Sequence, residues 1–238
     1  ERSAQMKLRG AVVGLGQVAT DTHFPVWKKS GLAEIVAVVD SSPEQRDSFS
    51  RQEPSLSCYP SLQSVKPETL DFVDICTPPH THAPLIRYAL QNKWHVLCEK
   101  PLVLDSSELD SLAALAASSD RALVTVHNWA YAPICRKISE LSAPASIGDI
   151  RHCAWFVLRD GPAKTAEKDN WRIDPQKAGG GILIDHGWHA LYLVLNWLAQ
   201  KPVSLSATLE NRQYADLPVE DTVKARIEFE STLPEKTT

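Results

Sequence analysis

Short apolar runs recur along the first half of the chain, separated by longer amphipathic stretches. Those at Arg9–Val13, Glu34–Val39, around Cys58, Phe72–Cys76, His95–Cys98 and Ala122–Val126 predict six strands. Ala11-Val12-Val13 and Ile35-Val36-Ala37-Val38-Val39 are apolar without interruption, as strands covered on both faces must be. Between the runs the period lengthens to that of a helix. Thr81–Gln91 places Leu85, Ile86, Ala89 and Leu90 on one face, and Ser106–Ser118 does the same with Leu109, Leu112, Ala113 and Ala116. Asp105 and Ser106 offer cap oxygens to the second of these, and Ser42-Pro43 ahead of Glu44 marks another helix start. Strand and helix in alternation predict an α/β unit built on a parallel sheet.

After Asn128 the pattern changes. A strand is predicted over Ile150–Val157, then a polar loop to Gln176, a glycine triplet, an apolar helix from Ile182 to Ala199, and strands at Val203–Glu210 and Val223–Phe229. Strands grouped around one long helix predict an α+β domain with a mainly antiparallel, shortened sheet. The domains expected are therefore 6–126 and 127–238. The five residues ahead of Met6, the only methionine, are left out of the fold reading.

Composition narrows the function classes. The 238 residues carry a net charge of -4 and no Lys/Arg-rich tract, so no nucleic-acid partner is expected. No apolar run approaches the ~20 residues of a membrane span, and no charged-then-apolar leader precedes the first strand. The five cysteines include no C-x-x-C pair, which speaks against a zinc ribbon or redox dithiol. Free thiols in a reducing, cytoplasmic setting are expected.

Gly14-Leu15-Gly16-Gln17-Val18-Ala19 follows the first strand and opens a helix, the context that gives G-x-G-x-x-A its meaning. Gly14 permits the tight turn, Gly16 lets a pyrophosphate approach the backbone, and Ala19 allows the helix to pack on the strand. Asp40 ends the second strand, where a carboxylate can accept hydrogen bonds from ribose hydroxyls. A 2'-phosphate would meet that charge, and Arg46 is the nearest cation to offset it, so NAD is expected in preference to NADP. The N-terminal domain is thus read as a Rossmann dinucleotide-binding domain. A plain βα turn followed by a helix-capping acid would use the same residues.

Two further motifs close strands: Thr77-Pro78-Pro79-His80-Thr81-His82 after the fourth and Glu99-Lys100-Pro101 after the fifth. Ligands of open α/β sheets bind at such carboxyl ends. In the second half, Gly179-Gly180-Gly181 leads to Asp185 and His189, which at i and i+4 share one helix face. A carboxylate beside an imidazole suits acid-base work. The same pair also suits a surface ion pair or a satisfied core histidine. His186 and His189 suggest a metal only weakly, since no third ligand is placed, and no metal is expected.

Taken in order, G-x-G-x-x-A, T-P-x-x-x-H, E-K-P and G-G-G-x-L-x-D-x-G-x-H resemble the Gfo/Idh/MocA oxidoreductase family over Leu8–Phe229. The resemblance implies hydride transfer between a nicotinamide and a hydroxyl-bearing carbon of a sugar, sugar derivative or cyclitol. It implies catalytic roles for Lys100, Asp185 and His189: His189 as general base, Lys100 stabilising the developing alkoxide, Asp185 holding substrate or imidazole in register. Which of Lys100 and His189 carries the proton differs among members. By the same resemblance the cofactor is bordered by Gly14, Leu15, Gly16, Gln17, Val18, Asp40, Thr77, Pro78, His82, Glu99 and Lys100. Substrate contacts fall to Asn128, Trp171, Arg172, Asp185 and His189.

Two departures stand out. Many members carry an Asn-Arg pair where Asn128 is here followed by Trp129 and Ala130, and the second sheet is short. A sheet with an uncovered face implies a homo-oligomer packed through it. These departures also keep open a second reading, a catalytically silent dinucleotide-binding sensor or regulator. No G-x-S-x-G elbow supports a hydrolase.

Overall fold

The six apolar runs of the first half fold as β1 (Leu8–Val13), β2 (Ala33–Val39), β3 (Ser57–Tyr59), β4 (Phe72–Ile75), β5 (His95–Cys98) and β6 (Leu123–Thr125). The computed structural model describes residues 7–142, 147–148, 150–159 and 170–230. The chain divides into two units, Glu1–Val126 and His127–Thr238. In the first, all strands pair in parallel in the order β3-β2-β1-β4-β5-β6. Helices α1 (Phe24–Ser30), α2 (Pro43–Gln52), α3 (His82–Gln91) and α4 (Ser106–Ser119) run between them.

Alternation along the strands assigns their side chains to two cores. Ala11, Val13, Val73 and Ile75 meet Ile86 and Leu90 of α3 and Leu112 of α4 on one face. Val12 and Val38 meet Phe24 of α1 and Phe49 of α2 on the other. The predicted caps form: Ser42 accepts the Gln45 N–H at 3.2 Å, and Asp105 accepts the Ser107 N–H at 2.9 Å. Strand order reverses between β1 and β4, which opens the crevice at their carboxyl ends where such sheets take ligands.

The second unit contains α5 (Pro133–Leu141), α6 (Pro175–Ala178), a π turn over Leu183–Gly187 leading into α7 (Trp188–Leu198), and the antiparallel pair β7 (Pro202–Glu210) and β8 (Thr222–Phe229). The strand expected over Ile150–Val157 does not form. Residues 150–159 lie outside any ladder, with Phe156 and Leu158 exposed, because alternation makes a strand only where another strand supplies hydrogen-bond partners. Most of the loop expected before Gln176, residues 160–169, lies outside the described residues.

Candidate active site

The glycine loop begins where β1 stops. Gly14 has φ 91°, a left-handed conformation, and a Cβ there would stand 2.8 Å from Thr77 Cγ2 and 3.0 Å from the Thr77 nitrogen. Its N–H donates to the Val39 carbonyl at 2.7 Å, tying the loop to the end of β2. Above Gly16 the position of a Cβ meets nothing within 4 Å, so the backbone is open to close approach. The Gly16 carbonyl accepts from Ala19 and Thr20, starting the helix that follows the loop, with Gln17 exposed and Val18 half-buried. Asp40 joins this loop directly: Oδ2 accepts the Leu15 N–H at 2.7 Å and Oδ1 the Ser42 N–H at 2.8 Å. Arg46 spends one guanidinium nitrogen on the Asp40 carbonyl at 2.7 Å. An open glycine backbone at a helix start beside an ordered carboxylate fits the phosphates and ribose of a dinucleotide.

Thr77 and Pro78 are half-buried at the end of β4, beside Gly14. His82 lies deeper than its motif suggests. It is 0% exposed, and its ring nitrogens stand 2.8 Å from the Pro101 and Thr77 carbonyls. Burial pushes its pKa down, against the pull of those two carbonyls. Both ring nitrogens therefore face main-chain carbonyls. His82 fastens the Thr77 loop to the Glu99-Lys100-Pro101 turn.

In that turn the Glu99 N–H donates to the Ile75 carbonyl at 2.9 Å, and Glu99 Oε2 accepts the Lys100 N–H at 3.1 Å. The other Glu99 oxygen stands 2.9 Å from His23 Nε2. His23 Nδ1 in turn lies 2.9 Å from Asp74 Oδ2, which also accepts Trp27 Nε1–H at 2.7 Å. None of His23, Trp27 and Asp74 is reached by motif reasoning. The available signal is Asp74, an acid inside the apolar run Phe72-Val73-Asp74-Ile75, where a buried carboxylate demands a cation or donors.

The second unit orders its own groups. Gly181 presses on β8's approach: a Cβ would sit 2.0 Å from the Glu220 carbonyl oxygen, so no side chain fits. Glu220 caps the helix start, Oε2 accepting the Gly181 N–H at 2.9 Å, Oε1 the Leu183 N–H at 3.0 Å and its carbonyl the Ile182 N–H at 3.1 Å. Asp185 follows in the π turn, its carboxylate 3.7 Å from His186 Nε2. The i, i+4 geometry expected of Asp185 and His189 is thus that of a π turn running into α7, with a wider turn between them.

His189 is 6% exposed. Its ring stacks on Trp129, centroids 4.4 Å apart at 11°, and its Nδ1 lies 3.1 Å from the Tyr192 hydroxyl. That hydroxyl also accepts the Trp129 N–H at 3.1 Å, and the Tyr192 ring stacks on His127 at 4.2 Å. His127 Nε2 and Trp188 Nε1 are buried without a hydrogen-bond partner among the described residues. Burial pushes the His127 pKa down. Asn128 is exposed. Trp171 and Arg172 are half-buried, the guanidinium 4.4 Å from the indole and the Arg172 N–H held by Asn170 Oδ1 at 3.1 Å. Lys100 belongs to the first unit, and Asn128, Trp171, Arg172, Asp185 and His189 to the second.

Residues 8–127 match the oxidoreductase family with an NAD-binding Rossmann fold, and residues 135–234 match the GFO/IDH/MocA C-terminal domain. The chain belongs to the Gfo/Idh/MocA family. Among its relatives, an oxidoreductase subunit of Amycolatopsis mediterranei is 30% identical over 191 residues, covering 78% of this chain and 50% of that protein. The D-glucoside 3-dehydrogenase of Escherichia coli is 28% identical over 206 residues, covering 83% of this chain and 56% of that one. The structure of an inositol dehydrogenase homolog from Azotobacter vinelandii, complexed with NAD+, superposes with a TM-score of 0.81 at 26% identity, over 97% of this chain and 63% of that one. This Gfo/Idh/MocA chain therefore spans little more than half the length of the curated relatives it matches. No helix among its described residues is long and apolar enough to cross a membrane.

Proposed function

We propose that the protein is an NAD-dependent oxidoreductase transferring a hydride between nicotinamide and a hydroxyl-bearing carbon of a sugar, sugar derivative or cyclitol. The observation that carries this reading is the juxtaposition, at the carboxyl ends of neighbouring strands β1, β4 and β5, of an open glycine loop, the Thr77 loop and a braced Lys100. Family membership and the dehydrogenase names of relatives support it.

Gly14, Leu15, Gly16, Gln17 and Val18 would hold the pyrophosphate on backbone N–H groups, and Asp40 the adenosine ribose. Asp40 already ordered beside the loop, with Arg46 turned to a carbonyl, supports NAD over NADP. Thr77, Pro78, Glu99 and Lys100 would border the nicotinamide, which when bound supplies the hydride acceptor or donor. Lys100 would then stabilise charge growing on the substrate oxygen. His189, held by Trp129 and Tyr192, would take the hydroxyl proton, and Asp185 would hold substrate in register. Asn128, Trp171 and Arg172 are assigned to substrate contacts, with the unpartnered nitrogens of His127 and Trp188 as further sites for hydroxyl groups.

Assembly and location complete the proposal. Leu205 and Leu209 leave one face of the β7–β8 pair apolar and exposed, a face that a second copy would cover. A monodisperse monomer in sedimentation at micromolar concentration would sink that part. All five cysteines are free, which suits a cytoplasmic location. The central test is titration with NADH and NADPH by tryptophan quenching, followed by a polyol and sugar screen at 340 nm. Micromolar NADH binding lost in Asp40→Ala, with turnover lost in Lys100→Ala and His189→Ala, is expected. Folded protein that binds no nicotinamide overturns the reading.

A further inference from the structure

His23 ends the π turn, Ala19–His23, that follows the glycine loop, and it is 9% exposed. A carboxylate faces each ring nitrogen, Asp74 at Nδ1 and Glu99 at Nε2, both at 2.9 Å. With ionised carboxylates on both sides, protons on both ring nitrogens satisfy both contacts, whereas a neutral ring would set a lone pair against one of the carboxylates. The remaining valences of the acids are used too. Trp27 donates to Asp74 Oδ2, the Cys76 thiol lies 3.7 Å from Asp74 Oδ1, and the Lys100 main chain donates to Glu99 Oε2.

Burial alone would push the ring's pKa down, but its hydrogen bonds with Asp74, Cys76 and Glu99 outweigh it and carry it up to about 12. Burial likewise works to raise the Glu99 pKa, and the bond from His23 with its charge brings it below the ordinary value. The groups that act on the ring are Asp74 and Cys76 from the end of β4 and Glu99 from the end of β5, while Trp27 of α1 and the Lys100 main chain contact the two carboxylates. The donor atoms of His23, Asp74 and Cys76 lie within 4.8 Å of one another, the spacing of a metal site. An ion there would have to evict the proton between Nδ1 and Asp74, and burial keeps the Cys76 thiol protonated, its pKa pushed up to about 12.

We propose that His23 is a positioning residue for Lys100: its doubly protonated ring clamps Glu99, whose second oxygen fixes the lysine's main chain, so the helix of the glycine loop sets where the ammonium stands. The clamp joins the segment that would hold the cofactor phosphates to the residue that would meet the substrate oxygen. It rests on the reading of Lys100 given above.

Imidazole 15N NMR on the intact protein tests the clamp without any substrate. Both His23 nitrogens are expected to stay protonated at pH 9, and a neutral ring there overturns the proposal whatever any variant does. His23→Gln keeps a hydrogen bond and removes the charge. In that variant the trinitrobenzenesulfonate reactivity of Lys100, read by peptide mass spectrometry against exposed Lys93, is expected to change at least threefold. An unchanged Lys100 rate in folded His23→Gln overturns the proposal. Both readouts stand apart from the oxidoreductase reading, which fails instead by lack of nicotinamide binding in the wild type. With a substrate from the screen, His23→Gln is expected to lower kcat tenfold or more while KM for NADH stays within threefold. Equal loss in both would mark a merely structural residue.

Discussion

At the scale of single residues, His189 owes its orientation to neighbours that are far apart in the chain. Trp129 stacks on its ring, and Tyr192 holds its Nδ1 while accepting the Trp129 N–H. Tyr192→Phe removes the hydroxyl from both contacts. A stability loss of about 1–2 kcal/mol is expected from the hydrogen bonds given up, and a fall in turnover of about tenfold if the imidazole loses about 1.4 kcal/mol of orientation. Thermal melts beside steady-state rates would check the two separately. His189 could be picked from the sequence because it stands in a compact motif. Tyr192 could not, since three residues along an apolar helix an aromatic reads as core. His23 was hidden for a stronger reason: its meaning lies in residues 74 and 99, brought to it only by strand order.

At the scale of elements, the glycine triplet works by absence of bulk. Gly181→Ala would drive a methyl carbon to 2.0 Å from the Glu220 carbonyl oxygen, which is backbone and cannot swing aside. A destabilisation of about 3 kcal/mol or more is expected from such overpacking, together with loss of the cap on the helix that carries Asp185 and His189. Chemical denaturation followed by tryptophan fluorescence would show it, and a wild-type midpoint would contradict the account.

The turn between β7 and β8 depends on Asp221. The Thr222 hydroxyl and the N–H groups of Arg212, Gln213 and Tyr214 hold its carboxyl well below the usual carboxylate range. A carboxyl with a depressed folded-state pKa stabilises above its unfolded value, near pH 4, and loses that contribution as the pH falls further. Amide protection in residues 211–222, taken relative to the intrinsic exchange rate at each pH, is therefore expected to fall on acidification from pH 5 to 3, and less so in Asp221→Asn, which lacks the titrating group. The β7 and β8 strands were legible from alternation. The strand read over Ile150–Val157 was not real, because its alternation was local and its ladder was not.

At the scale of the whole molecule, the parallel sheet was the most legible feature. Continuous apolar runs at regular intervals admit few arrangements, and the glycine loop and Asp40 mark the end of β1 and β2 by spacing alone. What escaped the sequence is how loops brace one another, as His82 does between Thr77 and Pro101. Ligand linkage gives a whole-chain test. A cofactor binding only the folded state adds about 2.7 kcal/mol at a hundredfold excess over Kd, which for a chain of this size raises the melting temperature by about 5–10 °C. NADH is expected to do so and NADPH to do less, in differential scanning fluorimetry.

The five free cysteines differ sharply in their surroundings. Cys76 and Cys98 are buried at the ends of β4 and β5, where burial raises both thiols, and Cys135 is buried in the second unit. Cys58 is half-buried and burial raises it too. Cys153 alone is exposed. A maleimide dye added briefly near neutral pH thus has Cys153 as its ready target, which offers an attachment point for a fluorescent reporter in the second unit.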